Sequence, residues 1–180
     1  MADGVELRHR PLVELEAGLA SLMEAPREEG VLELIVRRPR SDEREVLDVA
    51  ELDPARGLVG DRWAAGSALP LNQLTIMSSR VIALLAPERW LWPLAGDQLY
   101  ADFDLSADNV PPGTRLRIGT AVVEASPEPH TGCKKFRARY GLDALRFIGA
   151  RERQHLQLRG INAIIVTAGQ ARVGDPIVKL

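Results

Sequence analysis

Apolar residues recur at three- and four-residue spacing near the start of the chain. Leu12, Leu15, Leu19, Leu22 and Met23 fall on one helical stripe. Pro11 suits a first helical turn, and Pro26 cannot continue a helix. The period then drops to two. Val31-Leu32-Glu33-Leu34-Ile35-Val36 predicts a strand and Glu45-Val46-Leu47-Asp48-Val49 a second, joined as a hairpin by the polar run from Pro39 to Arg44. Asp53-Pro54-Ala55-Arg56-Gly57 has the composition of a turn. After a loop from Ser67 to Pro70, Gln73-Leu74-Thr75-Ile76-Met77 predicts a strand. Ser78 or Ser79 can cap a short helix through Val81, Ile82, Leu84 and Leu85 that ends at Pro87. The cluster Trp90, Trp92, Pro93 reads as a plug for the core.

The second half is mostly strands and turns. Pro111-Pro112-Gly113 marks a turn before the alternating strand Arg115-Leu116-Arg117-Ile118, and Gly119 separates this from a hairpin partner at Ala121-Val122-Val123-Glu124-Ala125. Residues 126–132 hold two prolines and a glycine and are irregular, and Lys134 to Gly149 reads as helix with a break at Gly141. Ile161 to Thr167 is a β-branched strand, Gly169-Gln170 a turn, and Asp175-Pro176-Ile177-Val178-Lys179 a closing strand after Gly174. About eight short strands with a few inserted helices predict a mainly β fold, a closed or partly closed barrel. Residues 1–29 form a helical extension and residues 30–180 the barrel, one structural domain.

Composition narrows the function classes. At 46% hydrophobic and 27% charged residues the chain has the means to fold around one core. Aromatic residues are only 4%, too few for base-stacking platforms, and a net charge of −2 argues against a nucleic-acid-binding surface. No stretch approaches the roughly 18 apolar residues that span a bilayer. The first six residues show no basic flank leading into an apolar run, so no signal peptide is expected and the chain reads as cytoplasmic. A single cysteine, Cys133, excludes an internal disulfide and a zinc site of several thiolates.

Charge is unevenly placed. Residues 1–128 carry 13 Lys/Arg and 22 Asp/Glu, whereas residues 129–180 carry 10 and 3. Either the two parts pair across the fold, or the basic part attracts anions locally. Cys133 lies in the basic part, within Pro129-His130-Thr131-Gly132-Cys133-Lys134-Lys135-Phe136-Arg137-Ala138-Arg139. A thiol near a helix start, with His130 three residues before it and Lys134, Lys135, Arg137 and Arg139 after it, has surroundings that favour thiolate, the form that attacks electrophiles or binds metal. The competing reading is an inert cysteine beside a solvated basic helix.

Other residues are candidates to share that site. Asp61 and Asp97 each follow a glycine, at Gly60 and Gly96, where an acid also serves simply to cap a turn. Asn72 and Gln73 offer amide groups to a heterocycle, and Arg159, ahead of Gly160, can fork onto a phosphate or pair with a carboxylate. His9 and His155 read as surface residues. No His/Asp/Glu cluster has ligand spacing, and neither a Gly-rich phosphate loop nor a Gly-x-Ser-x-Gly elbow is present.

In their order, several pieces resemble the MOSC domain family, named for the C-terminal domain of molybdenum-cofactor sulfurase. They are Gly57-Leu58-Val59-Gly60-Asp61, Asn72-Gln73-Leu74-Thr75-Ile76-Met77, Gly96-Asp97-Gln98-Leu99, the section from Leu105 to Gly119, Pro129 to Phe136, Arg159-Gly160-Ile161 and Val173-Gly174-Asp175-Pro176. The resemblance spans roughly residues 30 to 180. It implies a β-barrel with Cys133 at the mouth of a cleft, as sulfur carrier or molybdenum ligand, and a molybdopterin cofactor held nearby. His130, Lys135, Arg137, Arg139 and Arg159 would then face the cofactor phosphate or a substrate anion, and Asp61, Asn72, Gln73 and Asp97 would line the cleft. Pyridoxal phosphate is not expected, because the desulfurase domain fused to some members is lacking and no Schiff-base lysine stands out. The implied activities are a molybdenum-dependent oxidoreductase or sulfur transferase, served by a separate electron- or sulfur-donor protein, or a carrier of cofactor or persulfide without turnover. The expected partners include neither nucleic acid nor membrane.

Overall fold

The structure, a computed structural model, describes residues 8–66 and 69–180. The expectations for the first six residues, and for 67 and 68 in the loop reading, fall outside the described residues. In chain order the elements are α1 (Leu12–Ala17), α2 (Leu19–Leu22), β1 (Glu29–Arg37), β2 (Glu45–Leu47), β3 (Val49–Asp53) and β4 (Gly57–Leu58). Then come β5 (Leu74–Ser78), α3 (Ser79–Leu85), β6 (Leu99–Asp102), β7 (Arg115–Ile118) and β8 (Ala121–Ala125). The chain finishes with α4 (Lys134–Gly149), β9 (Ile161–Thr167), β10 (Gly169–Arg172) and β11 (Pro176–Lys179). Short 3-10 segments lie at Pro70–Asn72, Arg89–Ala95 and Arg151–Leu156.

Seven strands close into a barrel in the order β11-β7-β8-β9-β5-β6-β1, with β1 pairing back to β11 through Glu29 and Val178, and β2 extends the sheet beyond β1. Among the described residues only β5 and β6 run parallel. Their crossover carries α3 and the 3-10 segment Arg89–Ala95, and it delivers Gly96 and Asp97 to the start of β6. A second sheet, β10-β3-β4, stands beside the barrel.

Alternation divides the apolar residues into two cores. Leu32, Ile35, Leu74, Ile76, Leu99, Val123, Ile161 and Ile177 belong to the barrel core. Leu34, Val36, Met77 and Tyr100, on the alternate positions, join Leu15, Val81, Trp92, Phe136, Tyr140 and Phe147 in a layer under the helices. Strict alternation fails at Glu33, where the pairing of β1 with β6 shifts register. A bulge of this kind explains how Leu32 and Ile35, three apart, share the interior.

Several expectations need correction. The first helix breaks at Gly18, packed so tightly that a Cβ there would come 2.4 Å from Leu84 Cδ1, and Met23 is 63% exposed rather than on the apolar stripe. Val49 opens a strand of its own, and the 169–170 turn is instead the start of β10, because β3 supplies an unpaired edge for it. Ser78 stands at the N-cap of α3 without a side-chain capping bond. Trp92 fills the core and donates Nε1–H to Ala86 O, but Trp90 is 60% exposed.

Gly160 is a position no other residue can fill cheaply. Its φ is +97° and a Cβ would come 2.2 Å from Ile76 O. We expect Gly160→Ala to lower stability by at least about 2 kcal/mol through strain and backbone collision, as read from chemical denaturation. A change within experimental error would contradict this packing.

Candidate functional site

Residues 126–132 form an irregular strap between β8 and α4, ending at Cys133, the N-cap residue of α4. Cys133 is exposed, and its carbonyl accepts the amide of Arg137 at 3.0 Å. The non-helical Gly141, at φ 93°, breaks α4 so that its second half folds back on the strap, and Leu145 and Ile148 come against Gly132.

The face each α4 side chain takes follows from helical spacing. Phe136 and Tyr140 turn inward and are buried. Lys135 and Arg139 share another face, where both reach Asp42 in the β1–β2 connection: Lys135 Nζ at 2.8 and 2.9 Å, Arg139 at 2.9 Å. The hydrogen bond from Lys135 leads in holding the Asp42 carboxyl below its ordinary range, though exposure leaves Asp42 open to solvent. Arg137, two positions off, lines a surface hollow with His9 and Lys134, so the structure does not bring it together with Lys135 and Arg139. Replacing Asp42 by Asn should raise the rate at which Cys133 reacts with anionic iodoacetate relative to neutral iodoacetamide, by about two- to fivefold. At one pH the ratio cancels the ionisation of the thiol itself. An unchanged ratio would mean that Asp42 does not screen the charges of Lys135 and Arg139 from a reagent at the thiol.

A second group centres on Asp97, which is fully buried. Arg159 Nη1 donates to its Oδ2 at 2.6 Å, and His130 Nε2 lies 2.9 Å from Oδ1, a close charge contact whose N–H is not aligned as a hydrogen bond. Burial pushes the Asp97 carboxyl upward, but Arg159 and then His130 outweigh it and hold the group well below the usual carboxylate range. Burial, seconded by the Asp97 charge, pushes the phenols of Tyr100 and Tyr140 up. Arg159 also lies over the Phe136 ring, 5.0 Å from its centroid, which ties α4 to this group.

Four successive carbonyls ahead of Asp97 are each taken by an arginine, two of them from the β1–β2 connection, one from α4 and one from ahead of β9. Arg44 donates to Pro93 O, Arg139 to Leu94 O, Arg159 to Ala95 O and Arg38 to Gly96 O. Arg38 also forks onto Asp61, whose buried carboxylate accepts from Arg38 Nε, Nη2 and main-chain N, and from the amide of Trp63. Arg44 has no carboxylate partner among the described residues. Burial first, then the charges of Arg139, Arg38 and Arg62, push its guanidinium below its ordinary range. Four arginines therefore crowd together with fewer anions than cations, next to a hollow of about 340 Å³ lined by Arg38, Arg62, Trp63 and Gly66. The Trp63 indole rests on Gly57, where a Cβ would come 2.9 Å from Cε3.

The amides behave differently. Gln73 is buried with both ends of its carboxamide used, donating to Pro54 O and accepting from Ile165 N. Gln98 likewise bridges Thr75 and the Gln73 carbonyl. Asn72 is half-buried and its Oδ1 has no hydrogen-bond partner. Asp61, Gln73 and Asp97 thus spend their polar atoms inside the protein. A cleft of about 550 Å³ is lined by the strap residues His130, Thr131 and Gly132 and by Arg151, Gln154 and Arg159 among others.

Sequence reasoning overlooks Arg38, Arg44 and Arg62, because they lie in the part of the chain with the acidic excess. The available signal is Arg62 directly after Gly60-Asp61, and the two arginines that bracket the polar hairpin connection. Among the described residues no three His, Cys, Asp or Glu side chains converge as metal ligands, and no helix is long and apolar enough to cross a membrane.

No family model matches the chain, and no curated protein matches it in sequence. Among solved structures, the YUAD protein from Bacillus subtilis is similar with a TM-score of 0.63 and 19% identity, over 85% of this chain and 96% of that one. YiiM from Escherichia coli is similar with a TM-score of 0.55 and 21% identity, over 83% of this chain and 69% of the other. YiiM from Geobacillus stearothermophilus gives 0.52 and 13%, over 84% and 73%. Identities this low speak for the fold alone, a closed mixed β-barrel.

Proposed function

We propose that this domain binds an anionic molybdenum-pterin cofactor in the arginine-lined hollow, with Cys133 as the one protein ligand to the metal. The observation that carries the reading is the shortage of anions around Arg38, Arg44, Arg62 and Arg139, the last of these on α4, the helix that the exposed Cys133 caps. The donor set suits such a group. A bare metal ion needs three or four protein ligands, which the described residues do not assemble, whereas a metal that arrives with its own pterin sulfurs needs only one.

The residues divide the work by chemistry. Arg62 makes no ion pair among the described residues, so its planar fork is free for a phosphate. Trp63 offers an aromatic wall to a flat ring, and the Arg38–Asp61 pair fixes the rim of the hollow. Lys135, two residues after Cys133, and Arg139, on the same face of α4, add positive charge to the helix that the thiol caps. When bound, the molybdenum centre supplies the redox chemistry, while the protein contributes orientation and charge. Electrons come from a separate donor protein, and the reading is that of an oxidoreductase. The exposure of Cys133 also favours a second reading, in which the thiol carries sulfur to a partner as a persulfide.

The test uses protein purified from cells able to make the cofactor, with pterin, molybdenum and added sulfur counted per chain. About one pterin per chain is expected, falling at least about tenfold in Arg62→Glu as a charge-assisted contact is replaced by repulsion. Protein free of pterin, molybdenum and added sulfur would overturn both readings. Sulfur without pterin would select the second.

A further inference from the structure

We infer that His130 is a positioning residue. It latches the strap that presents Cys133 to the buried Asp97–Arg159 pair, and it does not itself bind ligand.

The strap is fastened unevenly. Its first half is tied down by Ser126 N to Asn162 O at 2.9 Å, Glu128 N to Ser126 Oγ at 3.0 Å, and Asn162 Nδ2 to Glu128 O at 3.1 Å. Beyond Glu128 the pattern changes. Among the described residues, the main chain of residues 129–132 makes no hydrogen bond to protein. The contact of His130 Nε2 with Asp97 Oδ1 is the one polar tie of this half, and Gly132 against Leu145 and Ile148 is its apolar counterpart. The next residue is Cys133, so the position of the sulfur is set by a four-residue span with one polar anchor.

That anchor is rigid from behind. Asp97 is fully buried at the start of β6, and Arg159 grips its other oxygen while also holding Ala95 O. Two strands of the barrel, β6 and β9, are thereby linked to the thiol through a single imidazole that is itself 14% exposed. Besides Asp97 and Arg159, the charged or titratable groups nearest this chain of contacts are Tyr100 on β6, Tyr140 on α4, and Arg151 across the cleft. None of them competes for His130 in the structure.

The latch acts on the thiol assigned above and rests on that reading only for its purpose. Its existence is tested without cofactor, by amide hydrogen exchange on the full chain at neutral pH. In His130→Ala, the amide of Arg137, accepted by the Cys133 carbonyl at the end of the strap, should exchange at least about tenfold faster, because the first bonded turn of α4 opens more often once the strap is released. In His130→Gln, whose carboxamide N–H reaches toward Asp97, the rates should return most of the way to wild type. Amides of Ile161 to Ile165 in β9 should be unchanged in both variants. Unchanged exchange at Arg137 in His130→Ala, or acceleration spread equally into β9, would overturn the latch. Failure of the wild type to carry cofactor or sulfur, with the exchange result intact, would overturn the proposed function and leave the latch standing.

Discussion

Asp97→Asn is expected to cost about 3–5 kcal/mol of folding stability, the range for breaking one partner out of a buried ion pair. For a domain of this size that is a fall in Tm of roughly 6–20 °C. The loss comes from what is left behind: Arg159, 8% exposed at its side chain, keeps its charge without a counter-ion, and His130 loses its anchor. Replacing both partners together, Asp97→Leu with Arg159→Met, should recover much of the loss, because no uncompensated charge then remains. Stability should also depend on pH through the same carboxylate. Its pKa is depressed in the folded state, so its contribution is complete above the unfolded value of about 3.9 and is lost as pH falls below it. The Asn variant should lack that part of the acid-side decline. Equal acid sensitivity in the two proteins would contradict the role given to Asp97.

Much of the barrel is legible in the amino-acid pattern because its strands are half-buried. The alternation in Arg115-Leu116-Arg117-Ile118 and the β-branched run from Ile161 each record which face meets the core. What the pattern hides depends on partners far away in sequence. β10 exists because the edge of β3 is available, and nothing in Gly169-Gln170 itself announces it. The same holds at the site. Cys133 at a helix start is visible from the basic residues and glycine around it, and the break at Gly141 from the glycine alone. The four arginines on Pro93 to Gly96 are not, since they come from three distant parts of the chain and only the closed barrel brings them to one segment. Aspartates after glycines look alike in sequence, yet Asp61 holds Arg38 and Asp97 holds Arg159, structural pairings that a local motif cannot distinguish from ligand contacts.

Cys133→Ser should abolish retention of molybdenum and added sulfur while leaving the fold intact. Cys133 is the N-cap residue of α4 and makes no side-chain capping bond, whereas serine is among the preferred N-cap residues, so the substitution should hold or slightly raise stability. The sulfur is exposed, and its removal opens no cavity. A hydroxyl at that place is neither a soft metal ligand nor a carrier of sulfane sulfur. Any loss is therefore chemical rather than structural, and a parallel Tm measurement verifies it.

The most direct test is to express the wild type and Cys133→Ser side by side in cells that make the cofactor, then count molybdenum and excess sulfur per folded chain. The expected result in the wild type is close to one equivalent of molybdenum together with the pterin's own sulfurs, or one added sulfur without molybdenum, and in the variant neither. Equal content in the two proteins, whether full or empty, would contradict the assignment of the chemistry to this thiol.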